Sequence, residues 1–372
     1  METYRLRVAI DATSLLGVRT GIGQVTSGLV QGLAERADVD LVAYAITWKG
    51  RGSLRQSLPP SARAGTRPFP ARLTRGLWPR LAWPRIEGWT GRVDVVHATN
   101  FVAPPTRSPV LLTIPDLSYL LYPELCSGDV LRFPRLVQIA VDRGATVHTY
   151  TAFVAAQVRE RYQLSDDRVV PVAPGLGPPR RGDPAQGQRL ADAPRYVLAL
   201  GTVEPRKNLP ALVRAFDRVA AHDRTVVLVV AGPDGPGGQA FGAALDRARH
   251  RERIHRLGWL DDRARDDLVA GATVLAYPSL YEGFGLPPLE AMQAGVPVVA
   301  STAGSLPEVL GDAAVLVDPG DDEGLSGALA RVLDDGPLRG RLIEGGHAQA
   351  GAFTWERAVS SLVVLYRHLA GR

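Results

Sequence analysis

Two carboxylates, Glu282 and Glu290, stand either side of the run Gly283-Phe-Gly-Leu-Pro-Pro-Leu289. Carboxylates accept hydrogen bonds from hydroxyl groups, and a loop containing glycines lets backbone come close to a ligand. Where such a loop opens a helix, the first N–H groups and the positive end of the helix dipole face anything anionic or rich in hydroxyls. Upstream, residues 273–279 read as a buried strand. Pro287-Pro288 preset a first helical turn, where a missing N–H costs little. Glu282 is therefore expected on a strand-to-helix loop and Glu290 in the first turns of the helix; a charged loop and an acid favoured by the helix dipole are the plain alternative.

A second chemistry-bearing run is Leu198-Ala-Leu-Gly-Thr-Val-Glu-Pro-Arg-Lys-Asn208, read as strand, loop and the start of a helix near Asn208. Arg206 and Lys207 would sit beside that helix start, where two cations can neutralise a departing diphosphate. The alternative is a solvated basic pair. Lysine is rare here, since Lys49 and Lys207 are the only two, so Lys207 is informative. Gly21 and Gly23 follow the first strand, Val8-Ala-Ile-Asp-Ala12, and open an amphipathic helix, placing backbone where a phosphate could meet it. They form neither the dinucleotide fingerprint nor a P-loop, and a flexible turn is the other reading. No bound metal is expected. His250 and His255 are five apart, off one helix face, with no carboxylate or cysteine at ligand spacing. Asp38-Val-Asp40 lies where a polar connection into a strand is due.

These groups need elements to hold them. Apolar runs rich in Val, Ile and Leu recur at 7–11, 41–47, 93–99, 110–116, 146–151 and 169–174, then again at 196–201, 225–232, 254–260, 273–279, 296–301 and 314–319. Helical stretches separate them, so they read as buried parallel strands in two doubly wound α/β domains. The expected division is 1–176, a Gly- and Pro-rich linker 177–194, a second domain 195–353 and a C-terminal helix 354–372 that returns to the first domain.

The length, 372 residues, suits two cores, and 45% hydrophobic with 22% charged residues argues against disorder. No apolar run approaches the ~20 residues of a membrane helix and no leader precedes the first strand, so a cytoplasmic protein is expected. A single cysteine, Cys126, reads as a free thiol. The net charge of +5 is unevenly spread: between Asp40 and Glu87 there are nine basic residues and no acidic one. That stretch, with Phe69, Leu77, Trp78, Leu81, Trp83 and Trp89, has two readings. It is either a solvent-facing loop and helix, or a patch on residues 49–89 that docks on the anionic inner face of a membrane. Without an RNA- or DNA-reading module, nucleic acid is not an expected partner.

Taken together, Ile10-Asp11, His97-Ala-Thr-Asn-Phe101, Thr113-Ile-Pro-Asp-Leu-Ser118, the 281–301 segment and Trp355-Glu-Arg357 resemble the retaining glycosyltransferases of family 4 over nearly the whole chain. The resemblance implies the GT-B fold, two facing Rossmann-like domains. It implies a nucleotide-sugar donor and no metal, whereas a GT-A enzyme would need an Asp-x-Asp motif. By position, Glu282 would face the donor sugar, with Lys207 and Arg206 on the diphosphate. Gly283, Phe284, Gly285 and Leu286 would give loop contacts, and Glu290 would hold the ribose hydroxyls. Gly21 and Gly23 would meet the diphosphate from the first domain, and Leu260 would lie against the base. Two positions depart from the pattern. Thr202 stands where many members have an arginine, for which Arg206 is a substitute within the loop, and Pro115 stands where many have a histidine. Asp116 and His97, nearby, are candidates for the sugar or acceptor side, with a structural role equally open.

The expected activity is transfer of a hexose, with mannose from GDP-mannose favoured, to a hydroxyl of a glycan or polyprenyl-linked acceptor. Retention is implied by the resemblance alone. Other readings are an epimerase or hydrolase of sugar nucleotides on the same fold, or a non-catalytic binder.

Overall fold

The computed structural model describes residues 4–17, 21–47, 51–66, 77–78, 81–125 and 130–372. Cys126 and, in the basic stretch, Lys49, Arg67, Phe69, Arg72, Arg75 and Arg80 lie outside them. The chain divides into two units, 1–175 with 353–372, and 176–352.

The first unit is built on seven parallel strands, β1 Leu6–Asp11, β2 Val39–Tyr44, β3 Arg63–Gly65, β4 Val95–Ala98, β5 Val110–Thr113, β6 Thr146–Thr149 and β7 Val169–Pro171. Their order is β3-β2-β1-β4-β5-β6-β7. Burial along β4 and β6 is continuous because helices cover both faces, so these strands read as unbroken runs rather than alternations. β3 comes from none of the expected apolar runs. It is a three-residue edge strand, Arg-Ala-Gly, whose Arg63 pairs with Asp40 on β2. A polar edge of this kind carries no hydrophobic signature.

Helix Trp355–Leu369 belongs to this unit and lies against helix Gly21–Ala34. Gly28 and Gly32, four apart, make room for it: a Cβ on Gly28 would overlap the Trp355 indole, and one on Gly32 would stand 2.8 Å from Val359. Its Tyr366 hydroxyl is 2.6 Å from His97 Nδ1, His97 Nε2 is 2.7 Å from Thr113 Oγ1, and Thr113 Oγ1 is 2.9 Å from His148 Nδ1. His148 Nε2 meets the Val172 carbonyl at 2.9 Å. A carbonyl only accepts, so Nε2 of His148 carries its proton and Nδ1 accepts from Thr113. Thr113 then accepts from His97 Nε2–H, and His97 Nδ1 accepts from Tyr366. This pattern satisfies the chain with both imidazoles neutral, and burial lowers the pKa of each, that of His148 to about 4. His97 was a candidate for the acceptor side. It is 0% exposed with both ring nitrogens engaged, and it fastens the C-terminal helix to β4 and β5.

The second unit has six parallel strands, β8 Tyr196–Leu200, β9 Val227–Ala231, β10 Ile254–Gly258, β11 Val274–Tyr277, β12 Val298–Ser301 and β13 Val315–Val317, in the order β10-β9-β8-β11-β12-β13. The stretch 177–194, expected as a linker, carries helix Pro184–Ala191, started by Asp183 accepting from Ala185 N–H. Gly182 and Gly187 in this stretch have no room for a Cβ against the backbone of helix Asp262–Gly271. The small residues that suggested a free connection are there for close packing.

In the basic stretch Trp78 is buried against Ile86, Tyr44 and Val96, while Leu81 and Trp83 are exposed. Among the described residues no helix is long and apolar enough to cross a membrane.

Candidate active site

β8 and β11 are neighbours in the second sheet, yet the chain leaves β8 towards β9 and β11 towards β12. In open parallel sheets the crevice beyond the strand ends at such a reversal is where ligands bind. β8 runs through Gly201 (φ +132°) into a 3-10 turn, Pro205–Lys207, then Asn208 and helix Leu209–His222. β11 runs into residues 278–285. The two loops are tied together: Leu280 N–H donates to the Arg206 carbonyl at 2.8 Å, and the Arg206 guanidinium donates to the Tyr281 carbonyl at 3.0 Å.

The charges meet here. Glu282 Oε1 lies 2.8 Å from Lys207 Nζ and 2.6 Å from Arg206, which also reaches Glu204 at 3.2 Å. Lys207 Nζ also bonds the Tyr277 hydroxyl and lies 4.2 Å from the Tyr277 ring centroid. Burial would raise the Glu282 carboxyl, but Lys207 and then Arg206 outweigh it and hold the pKa at about 2. Burial lowers Lys207, against which the Glu282 carboxylate works. The arrangement is an ionised carboxylate sharing one oxygen between two cations, poised where negative charge on a ligand would be met by both.

Backbone geometry fixes Glu282. Ser305, itself buried, donates to the Glu282 carbonyl from N–H and Oγ–H, each at 3.0 Å. Gly304 (φ +63°) packs so closely on Glu282 that an added Cβ would overlap its carbonyl oxygen. Gly285 (φ +97°) precedes helix Leu286–Gln293, and a Cβ there would stand 2.8 Å from Leu306. Because residues 287 and 288 are prolines, the donors at this helix start come from Gly285, Leu286 and Leu289. Gly283 and Phe284 are buried in the same loop.

Glu290 lies on the helix as expected and is half-enclosed, paired with Arg265 of helix Asp262–Gly271; Arg265 is also 3.3 Å from Asp266. Thr202 follows β8, and Leu260 follows the edge strand β10, partly buried beside the exposed Trp259. The structure thus gathers Arg206, Lys207 and Glu282 into one cluster, with Thr202, Gly283, Phe284, Gly285 and Leu286 on the loops around it. Gly21 and Gly23 belong to the first unit, in the first turn of helix Gly21–Ala34, Gly21 exposed and Gly23 buried. Asp116, also there, accepts from Ser118 N–H at 2.8 Å and Oγ–H at 2.6 Å, closing a turn after the buried Pro115.

Sequence reasoning missed Tyr277, Gly304, Ser305 and Arg265. Tyr277 sits in an apolar run and reads as core. Arg265 is one of many arginines. Gly304 and Ser305 act through backbone contacts that no side-chain pattern announces. Among the described residues no group of three or more His, Cys, Asp or Glu is gathered to hold a metal, and Asp38 and Asp40 are each paired with arginines.

Residues 184–349 match the family described as glycosyl transferases group 1. The chain is 31% identical over 301 residues to the O-antigen chain mannosyltransferase B of Escherichia coli, covering 78% of this chain and 79% of that protein. It is 35% identical over 234 residues to a D-inositol 3-phosphate glycosyltransferase of Salinispora tropica, covering 57% of this chain and 48% of that one. In fold it is similar to the sucrose-phosphate synthase of Thermosynechococcus elongatus, with a TM-score of 0.74 at 20% identity over 98% of this chain and 99% of that one. With two parallel-sheet α/β units in the GT-B manner and this extent of likeness, the chain belongs to the group 1 glycosyl transferases.

Proposed function

We propose that this glycosyltransferase moves a mannosyl group from GDP-mannose to a hydroxyl of a glycan or lipid-linked acceptor in cell-surface polysaccharide assembly, with retention at the anomeric carbon. The observation that carries the reading is the sharing of one Glu282 oxygen by Lys207 and Arg206 at the β8/β11 strand ends. The likeness to an O-antigen mannosyltransferase supports the choice of sugar.

In the proposed reaction the bond from the sugar C1 to the diphosphate oxygen breaks and its electron pair leaves on phosphate. The acceptor oxygen forms the new bond to C1 and passes its proton to the departing diphosphate oxygen. Lys207 and Arg206 meet the charge that develops on the leaving diphosphate; fixed charges in a partly dry site need little reorganisation to do this. Glu282 keeps both cations ordered through Oε1 and offers Oε2 to a sugar hydroxyl. The donors at Gly285 and Leu286 meet phosphate or sugar, and Glu290, steadied by Arg265, accepts from the ribose hydroxyls.

A thermal-shift panel of GDP-, UDP-, dTDP- and ADP-sugars tests the donor. A ligand that binds only the native state at about a hundred times its Kd adds ~2.7 kcal/mol of stability. GDP-mannose is expected to give the largest rise in melting temperature. A larger rise with another nucleotide sugar overturns the choice of donor.

A further inference from the structure

The segments that lead into β1, β4 and β5, with the short helix Glu87–Thr90, enclose a cleft of about 680 Å³ in the first unit. It lies at the amino ends of these strands, the edge of the sheet away from the carboxyl ends where open parallel sheets ordinarily take their ligands. Five arginines, Arg5, Arg7, Arg85, Arg92 and Arg107, line it together with two carboxylates, Glu87 and Asp94. The acids hold loops. Glu87 Oε1 accepts from Thr106 Oγ1–H at 2.9 Å and from the Arg107 backbone N–H at 2.6 Å, and its Oε2 is buried. Asp94 Oδ2 accepts from the Tyr4 hydroxyl at 2.6 Å and from the Arg7 backbone N–H at 2.8 Å, and its Oδ1 lies 3.9 Å from Arg372. Of the arginines, Arg5 donates to the Val39 carbonyl and Arg7 pairs with Asp40 on β2. Arg85, Arg92 and Arg107 are exposed, and among the described residues their guanidinium groups have no hydrogen-bond or ion-pair partner.

A concave surface lined mainly by one sign of charge focuses its field and draws in ions of the other sign. A guanidinium presents a planar fork of donors that meets phosphate oxygens two at a time. Here three such forks come from three separate segments, around residues 85, 92 and 107, and hold nothing in the protein itself. We propose that this cleft is a further binding site, for a ligand carrying a phosphate ester or a diphosphate. Arg85, Arg92 and Arg107 bind the phosphate oxygens, and Arg5 and Arg7 add to the field. The cleft's volume is that of a small-molecule site, so it takes a molecular body along with the phosphate. A soluble phosphate ester and a phospholipid headgroup present this same group. The site belongs to the unit that does not hold the Lys207 cluster, and it goes beyond the transfer reaction proposed above.

The test is calorimetric titration with inorganic pyrophosphate of the parent chain, of Arg85→Gln/Arg92→Gln/Arg107→Gln, and of the charge-keeping Arg85→Lys/Arg92→Lys/Arg107→Lys. Pyrophosphate can also meet Arg206 and Lys207, so the difference between parent and variants is what counts. The glutamine variant should bind one pyrophosphate fewer per chain, affinity at that site falling at least about tenfold, and the lysine variant should bind there at least about fivefold more weakly. Exposed, unpaired side chains contribute little to folding, so both variants should melt within about 2 °C of the parent. Parent-like stoichiometry and Kd in the glutamine variant would overturn the proposal. So would parent-like binding by the lysine variant, which would leave a diffuse cationic surface and no guanidinium site, or a fall of more than about 4 °C in the glutamine variant, which would give these arginines to the fold. Co-sedimentation with vesicles of phosphatidylglycerol and phosphatidylcholine separates the two sources: binding by the parent that the glutamine variant loses identifies a lipid headgroup, and pyrophosphate binding without that difference identifies a soluble phosphate ester. Calorimetry needs no turnover, so the result stands whether or not the transfer reaction does.

Discussion

Glu282 balances two cations, and its ionisation is the price of neither burial nor chance: Lys207 and Arg206 keep it charged in a place where burial alone would protonate it. Glu290 differs. Its partner Arg265 comes from the helix beyond β10, so the carboxylate is ordered without taking part in the Lys207 cluster. Glu290→Ala should therefore act on donor binding, losing roughly 1.5–3 kcal/mol for hydrogen bonds to a charged acceptor, about tenfold or more in Kd. Calorimetry with the donor measures it, and an unchanged Kd would remove Glu290 from the binding site. Both glutamates and the Arg206-Lys207 pair were legible in the sequence because charge, glycine spacing and the scarcity of lysine mark them. Arg265 and Tyr277 were not, since an arginine among many and a tyrosine in an apolar run acquire meaning only from what they touch.

At the level of elements, buried parallel strands announce themselves as continuous apolar runs, and the expected runs all hold strands. β3 escaped because an edge strand of Arg, Ala and Gly needs no apolar face, and helix Pro184–Ala191 was hidden by the glycines that let it pack. The turn after β12 is the least legible part of the site and among its most constrained. Gly304 combines a left-handed φ with contact against the Glu282 backbone, so Gly304→Ala should displace the 281–285 loop. The expected cost is about 1–3 kcal/mol, from a non-glycine residue forced into this conformation. Donor affinity should weaken in parallel. Chemical denaturation and donor titration of the variant check both, and native-like values for the two would show that the loop yields without consequence.

Across the whole molecule the two units differ in what acid does to them. In the first unit His148 has a folded pKa of about 4 against 6.5 unfolded, and His97 is shifted in the same direction. A depressed folded pKa gives stability that is complete above pH 6.5 and is lost as pH falls towards 4, on the order of 3 kcal/mol for His148. In the second unit Glu282 is depressed from 4.5 to about 2, so its contribution is complete above pH 4.5 and is lost only below that. The lowered pKa of buried Lys207 works in the opposite sense at neutral pH, which makes the cluster's net contribution smaller than that of Glu282 alone. Hydrogen exchange at stepwise lower pH should show β4, β5 and β6 losing protection before β8 and β11. The reverse order would mean that the histidine chain does not govern the acid stability of the first unit. The two-unit plan itself was readable from two series of apolar runs, whereas the histidine chain was not, because it joins residues from β4, β5, β6 and the C-terminal helix.

The most direct test of the central claim is mannosyl transfer from GDP-mannose to a polyprenyl-linked glycan acceptor, followed by GDP release, for the parent chain, Glu282→Gln and Lys207→Ala. If the cluster supports the charge that develops on the departing diphosphate, the parent turns over and each variant, folded by circular dichroism, is slower by about 10²-fold or more. Parent-like rates in both folded variants would contradict the account.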